Sequence, residues 1–541
     1  MSEFYLKPKL FSVIKDYSKK QCINDIVAGI IVAVIALPLS IALAIASGVE
    51  PACGIYTAIA AGFIVSLLGG SCVQIAGPTA AFATVVAGIV AAQGMGGLFI
   101  ATVLAGIMLV LMGILKLGGL IKFIPHTITT GFTAGIAVTI FIGQIKDFLG
   151  LTYPEGTKPI ETVEKIEANI AAAHTFSWQA LLVGAVCLAI LIVYPLFEKR
   201  VPPSLIAVVV GAAMVKLIPG LDSGVNTIGE LYNIPMGLPK VDLGGMELSL
   251  SKVAELLPDA FTIAVLAAIE SLLSCVVADN MVGSRHNSNA ELMAQGVANI
   301  GSVMFGGIPA TGAIARTAAN IKNGGRTPVA GMVHSVVLLL VLLLLMPYAG
   351  LIPMPAIAAI LFMVAYNMSE WRKFKRIIQT ATKSDILVAV ATFVLTVIFD
   401  LVVAIAVGMV LTVLLFMKRM SDKTEILPVT CIEGAEIPKE IRLFEVKGAL
   451  FFGSADKIDN IPLDGNTEYL VLDMGGVTAL DSTAMNSLEA INRKCNDKGI
   501  RLVLLKVNEQ PIKLMKRSGL ADALGEKGFC LNVNELLCLK A

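Results

Sequence analysis

Charge is scarce in this sequence. Only 15% of its 541 residues are Asp, Glu, Lys or Arg, against 56% hydrophobic ones. A water-soluble chain of this length must still present a polar shell, so a mean hydropathy of +0.82 places it in a membrane. Basic charge is also balanced, with 41 Lys and Arg against 40 Asp and Glu, which leaves no clustered basic face for nucleic acid. Histidine is rare, at four residues. The nine cysteines form no CxxC or zinc spacing and sit mostly in apolar runs, which predicts free thiols rather than a disulfide frame. No P-loop, nucleophile–base set or metal constellation is present, so an enzyme, a metal and an organic cofactor are not expected. No A-x-A-like cleavage site follows the basic residues Lys7, Lys9, Lys15, Lys19 and Lys20. Residues 1–22 read as a cytoplasmic leader, with an interfacial helix around Phe4–Tyr17.

What the sequence does contain is a succession of apolar runs suited to helices crossing about 30 Å of hydrocarbon. They lie near 23–46, 52–69, 79–92, 98–115, 125–149, 177–196, 202–218, 258–281, 289–305, 311–322, 327–346, 355–368, 384–399 and 401–417. Asp400 alone separates the last two. The positive charges agree with an inside N-terminus. Inner loops receive Lys116/Lys122, Lys199/Arg200, Arg285, Lys322/Arg326 and the Arg372–Lys383 cluster, and outer loops receive Lys146, Lys158, Lys165, Lys216, Lys240 and Lys252. The expected layout is a leader at 1–22, a membrane domain at 23–418, a linker at 419–439 and a soluble domain at 440–541. The chain is thus expected in the inner membrane, multi-pass, with both termini cytoplasmic.

Spans three and ten are short and follow stretches that cannot be regular helix. One reads Gln74-Ile75-Ala76-Gly77-Pro78-Thr79-Ala80-Ala81 and the other Gly306-Gly307-Ile308-Pro309-Ala310-Thr311-Gly312-Ala313. They are separated by nearly the same offset as the first spans of the two halves. Seven spans plus seven make an odd-numbered repeat, so the second copy must be inverted. Paired interruptions in inverted halves point to a transporter site. Helix N-termini present unpaired N–H groups and partial positive charge, so two of them meeting make an anion site. The candidate lining is Gly77, Pro78, Thr79, Ala80 and Ala81 with Ala310, Thr311, Gly312 and Ala313, and Thr79 and Thr311 are candidate caps.

Arg316 lies about one turn into span ten without an acidic neighbour. A charge at that depth is a functional hypothesis by default. It either snorkels or pairs with a distant carboxylate, or adds positive potential behind the half-helix. Glu270 in span eight, with Ser274 at i+4 on its face, reads as the place where H⁺, or Na⁺ as the alternative, offsets the anion's charge, against a structural salt bridge to Arg316.

These residues carry a resemblance. Ala36-Leu37-Pro38-Leu39-Ser40-Ile41-Ala42-Leu43-Ala44, Gly48-Val49-Glu50-Pro51-Ala52-Cys53-Gly54-Ile55-Tyr56, Gly77-Pro78-Thr79-Ala80, Ala134-Gly135, Ile145-Lys146-Asp147-Phe148-Leu149-Gly150 and Ala315-Arg316-Thr317-Ala318-Ala319-Asn320 resemble the sulfate permease family, solute carrier family 26. The resemblance implies 7+7 inverted repeats with a UraA-like core (spans 1–4 and 8–11) and gate (spans 5–7 and 12–14), elevator-like movement and a homodimer. It places the anion between the half-helices and the coupling carboxylate at Glu270. Expected substrates are sulfate-type oxyanions by H⁺ symport; C4-dicarboxylate uptake, Na⁺-coupled bicarbonate uptake, and an anion channel or exchanger are the alternatives.

From residue 440 strands are expected at 441–447, 449–452, 469–473 and 501–505, with helices at 482–497 and 510–518, a small α/β fold. It resembles STAS domains, whose phosphorylatable hydroxyl matches Ser482 or Thr483, and which can engage a cytoplasmic partner. Asp481 or Ser482 is the expected helix cap.

Overall fold

The computed structural model describes all residues except 1–6, 15–16, 120–124, 155, 158, 199–200, 233–248, 400, 433–434, 464–466, 534 and 536–541. The leader residues before Lys7 together with Lys15, and Lys122, Lys199, Arg200, Lys158, Lys240 and Asp400, therefore lie outside the described residues. Of the interfacial helix expected at the N-terminus, the described part contains one turn, Leu10–Val13. The chain divides into two compact units, Met1–Met409 and Val410–Ala541.

The first unit is helical. In hydrocarbon every backbone N–H and C=O needs an internal partner, and a helix supplies these within itself. The labelled helices are α1 (Lys19–Ala46), α2 (Pro51–Leu68), α3 (Ala83–Ile114), α4 (His126–Leu149), α5 (Trp178–Phe197), α6 (Pro203–Leu217), α7 (Leu257–Val282), α8 (Ser288–Met304), α9 (Ile314–Lys322), α10 (Pro328–Ala349), α11 (Met354–Met368), α12 (Trp371–Thr380), α13 (Lys383–Ile398) and α14 (Leu401–Lys423). Eight helices among the described residues are long and apolar enough to cross a membrane. Spans three and four of the sequence reading form one continuous element, α3, broken only at Gly94, whose φ of 68° is non-helical.

These helices pack as two groups. Helices α1, α2 and α3 pack with α7, α8, α9 and α10, whereas α4, α5 and α6 pack with α11 and α13. The first group holds the segments that the resemblance assigns to the core, and the second holds spans 5–7, 12 and 13 of those it assigns to the gate. Small residues set a close crossing of α3 and α8. A Cβ on Gly106 of α3 would lie 2.7 Å from the Gly296 carbonyl of α8, and one on Gly296 would lie 2.5 Å from the Gly106 carbonyl.

The second unit is an α/β layer. Its main sheet has five strands, β3 (Glu425–Val429), β4 (Ile441–Lys447), β5 (Tyr469–Gly476), β6 (Arg501–Leu505) and β7 (Phe529–Cys530), side by side in that order. The first pair is antiparallel and the others parallel. Helices α15 (Ser482–Asp497) and α16 (Glu509–Ser518) connect the parallel strands. Alternation along the strands divides the core: Phe444, Leu470, Leu472, Leu502 and Leu504 face one cluster, and Leu443, Val471, Val503 and Leu505 the other. Two sequence expectations change here. Residues 425–429, read as linker, form the edge strand β3, and 449–452 make a turn whose Leu450 pairs with Leu480 in an isolated bridge outside the sheet. The seven cysteines whose side chains are described are free.

Candidate functional site

Two interrupted stretches meet inside the first helical group. Ala76–Gly77 (β1) and Thr311–Gly312 (β2) pair antiparallel, Ala76 opposite Gly312 and Gly77 opposite Thr311. Glycines and prolines keep both stretches out of helix. Gly77 has φ 156°, and Pro78 and Pro309 cannot donate to a ladder. Each stretch then feeds a helix: a 3-10 turn at Ala80–Phe82 leads into α3, and β2 leads into α9. An antiparallel pair has a local two-fold axis, as halves of opposite orientation require.

Irregular backbone at this depth must be satisfied by protein. The first arm is fastened mainly from α9. Thr317 Oγ1 accepts from the Ile75 N–H at 3.0 Å, Asn320 Nδ2 donates to the Val73 carbonyl at 2.9 Å, and the Ala313 N–H donates to the Ile75 carbonyl at 2.8 Å. Its entry is fixed by Glu291 of α8, fully buried, whose carboxylate accepts from the Gly70 and Ser71 N–H groups and from Gln74 and Gln295. The second arm is fastened from α2, α7 and α8. Asn299 grips Ala310 at both ends, accepting from its N–H and donating to its carbonyl, each at 2.9 Å. Thr57 accepts from the Ile308 N–H at 2.7 Å, Ser302 donates to the Ile308 carbonyl at 2.7 Å, and Ser271 accepts from the Gly312 N–H at 3.0 Å.

Glu270 of α7 joins the two arms. Its Oε2 accepts from the hydroxyls of Thr79, at 2.8 Å, and Thr311, at 3.1 Å. Neither threonine caps a helix, contrary to the sequence expectation. Thr79 stands at the head of the 3-10 turn without a side-chain cap bond, and Thr311 lies in β2. Ser274, one turn along α7, is placed elsewhere: its hydroxyl points to Thr317 Oγ1 at 3.4 Å. It supports the hydroxyl that holds Ile75.

Arg316 is 1% exposed, and its Nη2 donates to the Pro78 carbonyl. It sits in the first turn of α9, so the cation reaches across to the other arm. Its Nε and Nη1 are buried without a hydrogen-bond partner. Buried donors are normally paired, and a guanidinium with free donors at such a place is suited to receive a ligand's oxygen atom. Gly77 makes room for it: a Cβ there would lie 2.5 Å from Arg316 Nη1. Ala80, Ala81, Ala310 and Ala313, expected to line the site, are all buried on the two arms. The sequence-predicted residues 77–81, 270, 310–313 and 316 thus come together, Ser274 standing behind them. The fasteners Thr57, Gln74, Glu291, Asn299, Ser302, Thr317 and Asn320 were missed. Their only signal was polarity inside apolar helices, or, for Gln74, within the interrupted stretch itself.

In the second unit Asp481 is the cap of α15. Its Oδ1 accepts from the Ala484 N–H at 2.8 Å and its Oδ2 from the Phe452 N–H at 2.9 Å. Ser482 and Thr483 are exposed in the first turn of that helix. Among the described residues no group of His, Cys, Asp and Glu is arranged to hold a metal.

Comparison with known proteins adds names to this geometry. The family model for the sulfate permease family matches residues 23–392, and that for the STAS domain matches 434–536. The "Putative sulfate transporter YvdB" of Bacillus subtilis is 41% identical, over 95% of this chain and 97% of its own. The bicarbonate transporter BicA of Picosynechococcus is 31% identical, over 91% of both chains. Among solved structures, the transmembrane domain of a cyanobacterial BicA, 28% identical, superposes with a TM-score of 0.61 over 73% of this chain and 98% of that one. Murine solute carrier 26 family member A9 matches in fold, with a TM-score of 0.86 at 18% identity over 96% and 92% of the two chains.

Proposed function

This chain is an anion transporter of the sulfate permease family with a STAS domain, and on that premise we propose that it takes up a sulfate-type oxyanion together with a proton. The observation that carries the reading is the buried Arg316 guanidinium, with Nε and Nη1 unpartnered, beside two arms tied to a single carboxylate. An oxyanion entering there receives one of the free Arg316 donors, Nη1–H on the Gly77 side, and the positive ends of α9 and of the turn that opens α3. Glu270 supplies the coupling. While ionised it holds both threonine hydroxyls and opposes an incoming anion. Once protonated it no longer opposes the anion, and Thr79 and Thr311 are free to turn towards it. Anion and proton therefore favour each other's binding, the condition for symport.

The site lies wholly within the α1–α3 and α7–α10 group, which supports movement of that group against the other in an elevator-like cycle. The pairing of basic loops supports an inner-membrane protein with both termini cytoplasmic. A homodimer and a cytoplasmic partner for the STAS domain complete the reading, resting on the family alone. The decisive experiment is uptake of radiolabelled sulfate, bicarbonate, succinate and chloride into proteoliposomes, with pH and Na⁺ gradients varied separately. Sulfate uptake should follow an inward proton gradient, and Glu270→Gln should abolish that dependence. Uptake indifferent to pH in the wild type, or driven by Na⁺ with bicarbonate, would replace this assignment.

A further inference from the structure

The connection between α11 and α13 contains a helix that the transport reading leaves unused. Helix α12, Trp-Arg-Lys-Phe-Lys-Arg-Ile-Ile-Gln-Thr over 371–380, follows Glu370, whose φ of 41° ends the course of α11. At 3.6 residues per turn, Trp371, Phe374, Ile377 and Ile378 fall on one face, and Arg372, Lys373, Lys375 and Arg376 fall on the other. The apolar face is shared between two environments. Phe374 packs on Phe393 of α13, with ring centroids 5.5 Å apart, and Ile377 is half-buried. Trp371 and Ile378 are each 45% exposed. Those two large apolar side chains belong to a segment that joins two apolar helices in sequence and is itself too basic for hydrocarbon. On the opposite face Lys373 pairs with Glu370 at 2.6 Å and Arg372 lies 5.5 Å from the Trp371 ring centre. Lys375 and Arg376 are exposed and meet no carboxylate among the described residues.

We propose that α12 is a binding site for anionic phospholipid headgroups, with Trp371 and Ile378 set into the acyl boundary and Lys375 and Arg376 holding the phosphate. An amphipathic helix with an aromatic anchor and a basic polar face is the arrangement that binds a negatively charged bilayer surface. An acidic protein would match the cations but leave Trp371 and Ile378 without cover, which favours lipid. Because Phe374 docks on α13, lipid bound here is connected to the group of helices that does not hold the anion.

Trp371 is itself the reporter. The chain has two tryptophans, and Trp178→Phe leaves it alone. The full chain carrying that substitution is reconstituted in vesicles of phosphatidylcholine with one quarter phosphatidylglycerol, the bromine placed on the acyl chains of one lipid or the other. At equal mole fraction, brominated phosphatidylglycerol should quench Trp371 about twofold more than brominated phosphatidylcholine. Molar salt, or Lys375→Gln with Arg376→Gln, should remove that excess, and Lys375→Arg with Arg376→Lys should keep it. The salt titration needs no second variant. Equal quenching by both lipids, or an excess that survives salt, overturns the proposal and leaves an acidic protein surface as the partner.

Discussion

The two arms of the site cross residue for residue, yet they are held by different means and carry different charge. The first arm, 74–82, is neutral, and its fastenings come largely from α9, the helix that the second arm feeds. The second, 308–316, is pinned by α2, α7 and α8 and carries Arg316, which crosses over to the Pro78 carbonyl. A repeated backbone motif has therefore been charged on one side only. Two identical cationic arms would repel each other with no ligand present. One cation shared across the crossing gives a single electrostatic focus, with Glu270 as its counterweight.

The largest expected effect comes from removing that asymmetry. Arg316→Ala should raise the half-saturating anion concentration by roughly 10- to 100-fold, since a charged hydrogen bond is worth about 1.5–3 kcal/mol, and Arg316→Lys should fall between. Concentration-dependent uptake in proteoliposomes measures this, and an unchanged value would remove Arg316 from the site. Next in size is the fastening. Asn299→Ala leaves both the N–H and the carbonyl of Ala310 without a partner, at about 2–4 kcal/mol, whereas Thr317→Val strands the Ile75 N–H and loses the long, rotatable 3.4 Å bond from Ser274, at about 1–3 kcal/mol. Unfolding in detergent should rank them in that order, and the reverse order would mean that the first arm is the more dependent one.

Glycine substitutions separate binding from stability. Gly77→Ala pushes on Arg316 Nη1 and should weaken anion affinity several-fold, on the order of 1 kcal/mol. Gly312→Ala places a Cβ 1.8 Å from Gln74 Nε2 and should show first as a lowered melting temperature. The smallest effect lies outside the arms. Asp481→Ala should destabilise the STAS unit by about 1 kcal/mol, while Ser482→Ala should leave it unchanged because Asp481 alone makes the cap.

Much of this was legible in the sequence because it is written locally. Apolar length gives helices, and the Gly-Pro-Thr stretch at 77–79 and its counterpart at 306–312 betray themselves by breaking them. Arg316 and Glu270 stand out because charge at that depth is rare. Asn299 and Thr317 do not stand out, because a polar residue in a helix gives no sign of its partner elsewhere in the chain. Ser274 illustrates the same limit. The i+4 rule correctly puts it beside Glu270 on the helix, but which side chain it meets depends on α9, and α9 offers Thr317. The strand expected at 449–452 failed for another reason: its apolar residues serve a turn that presents the Phe452 N–H to Asp481.

Every side chain that fastens the arms lies on α2, α7, α8 or α9, or on the arms themselves, so the binding cradle is complete without the second group of helices. A cradle that travels intact meets each side of the membrane with the same contacts. Its dissociation constants at the two faces should then be nearly equal, and the site itself imposes no direction on transport. Net flux would be set entirely by the electrochemical gradients of anion and coupling ion, and reversing those gradients should run the cycle backwards at a comparable rate.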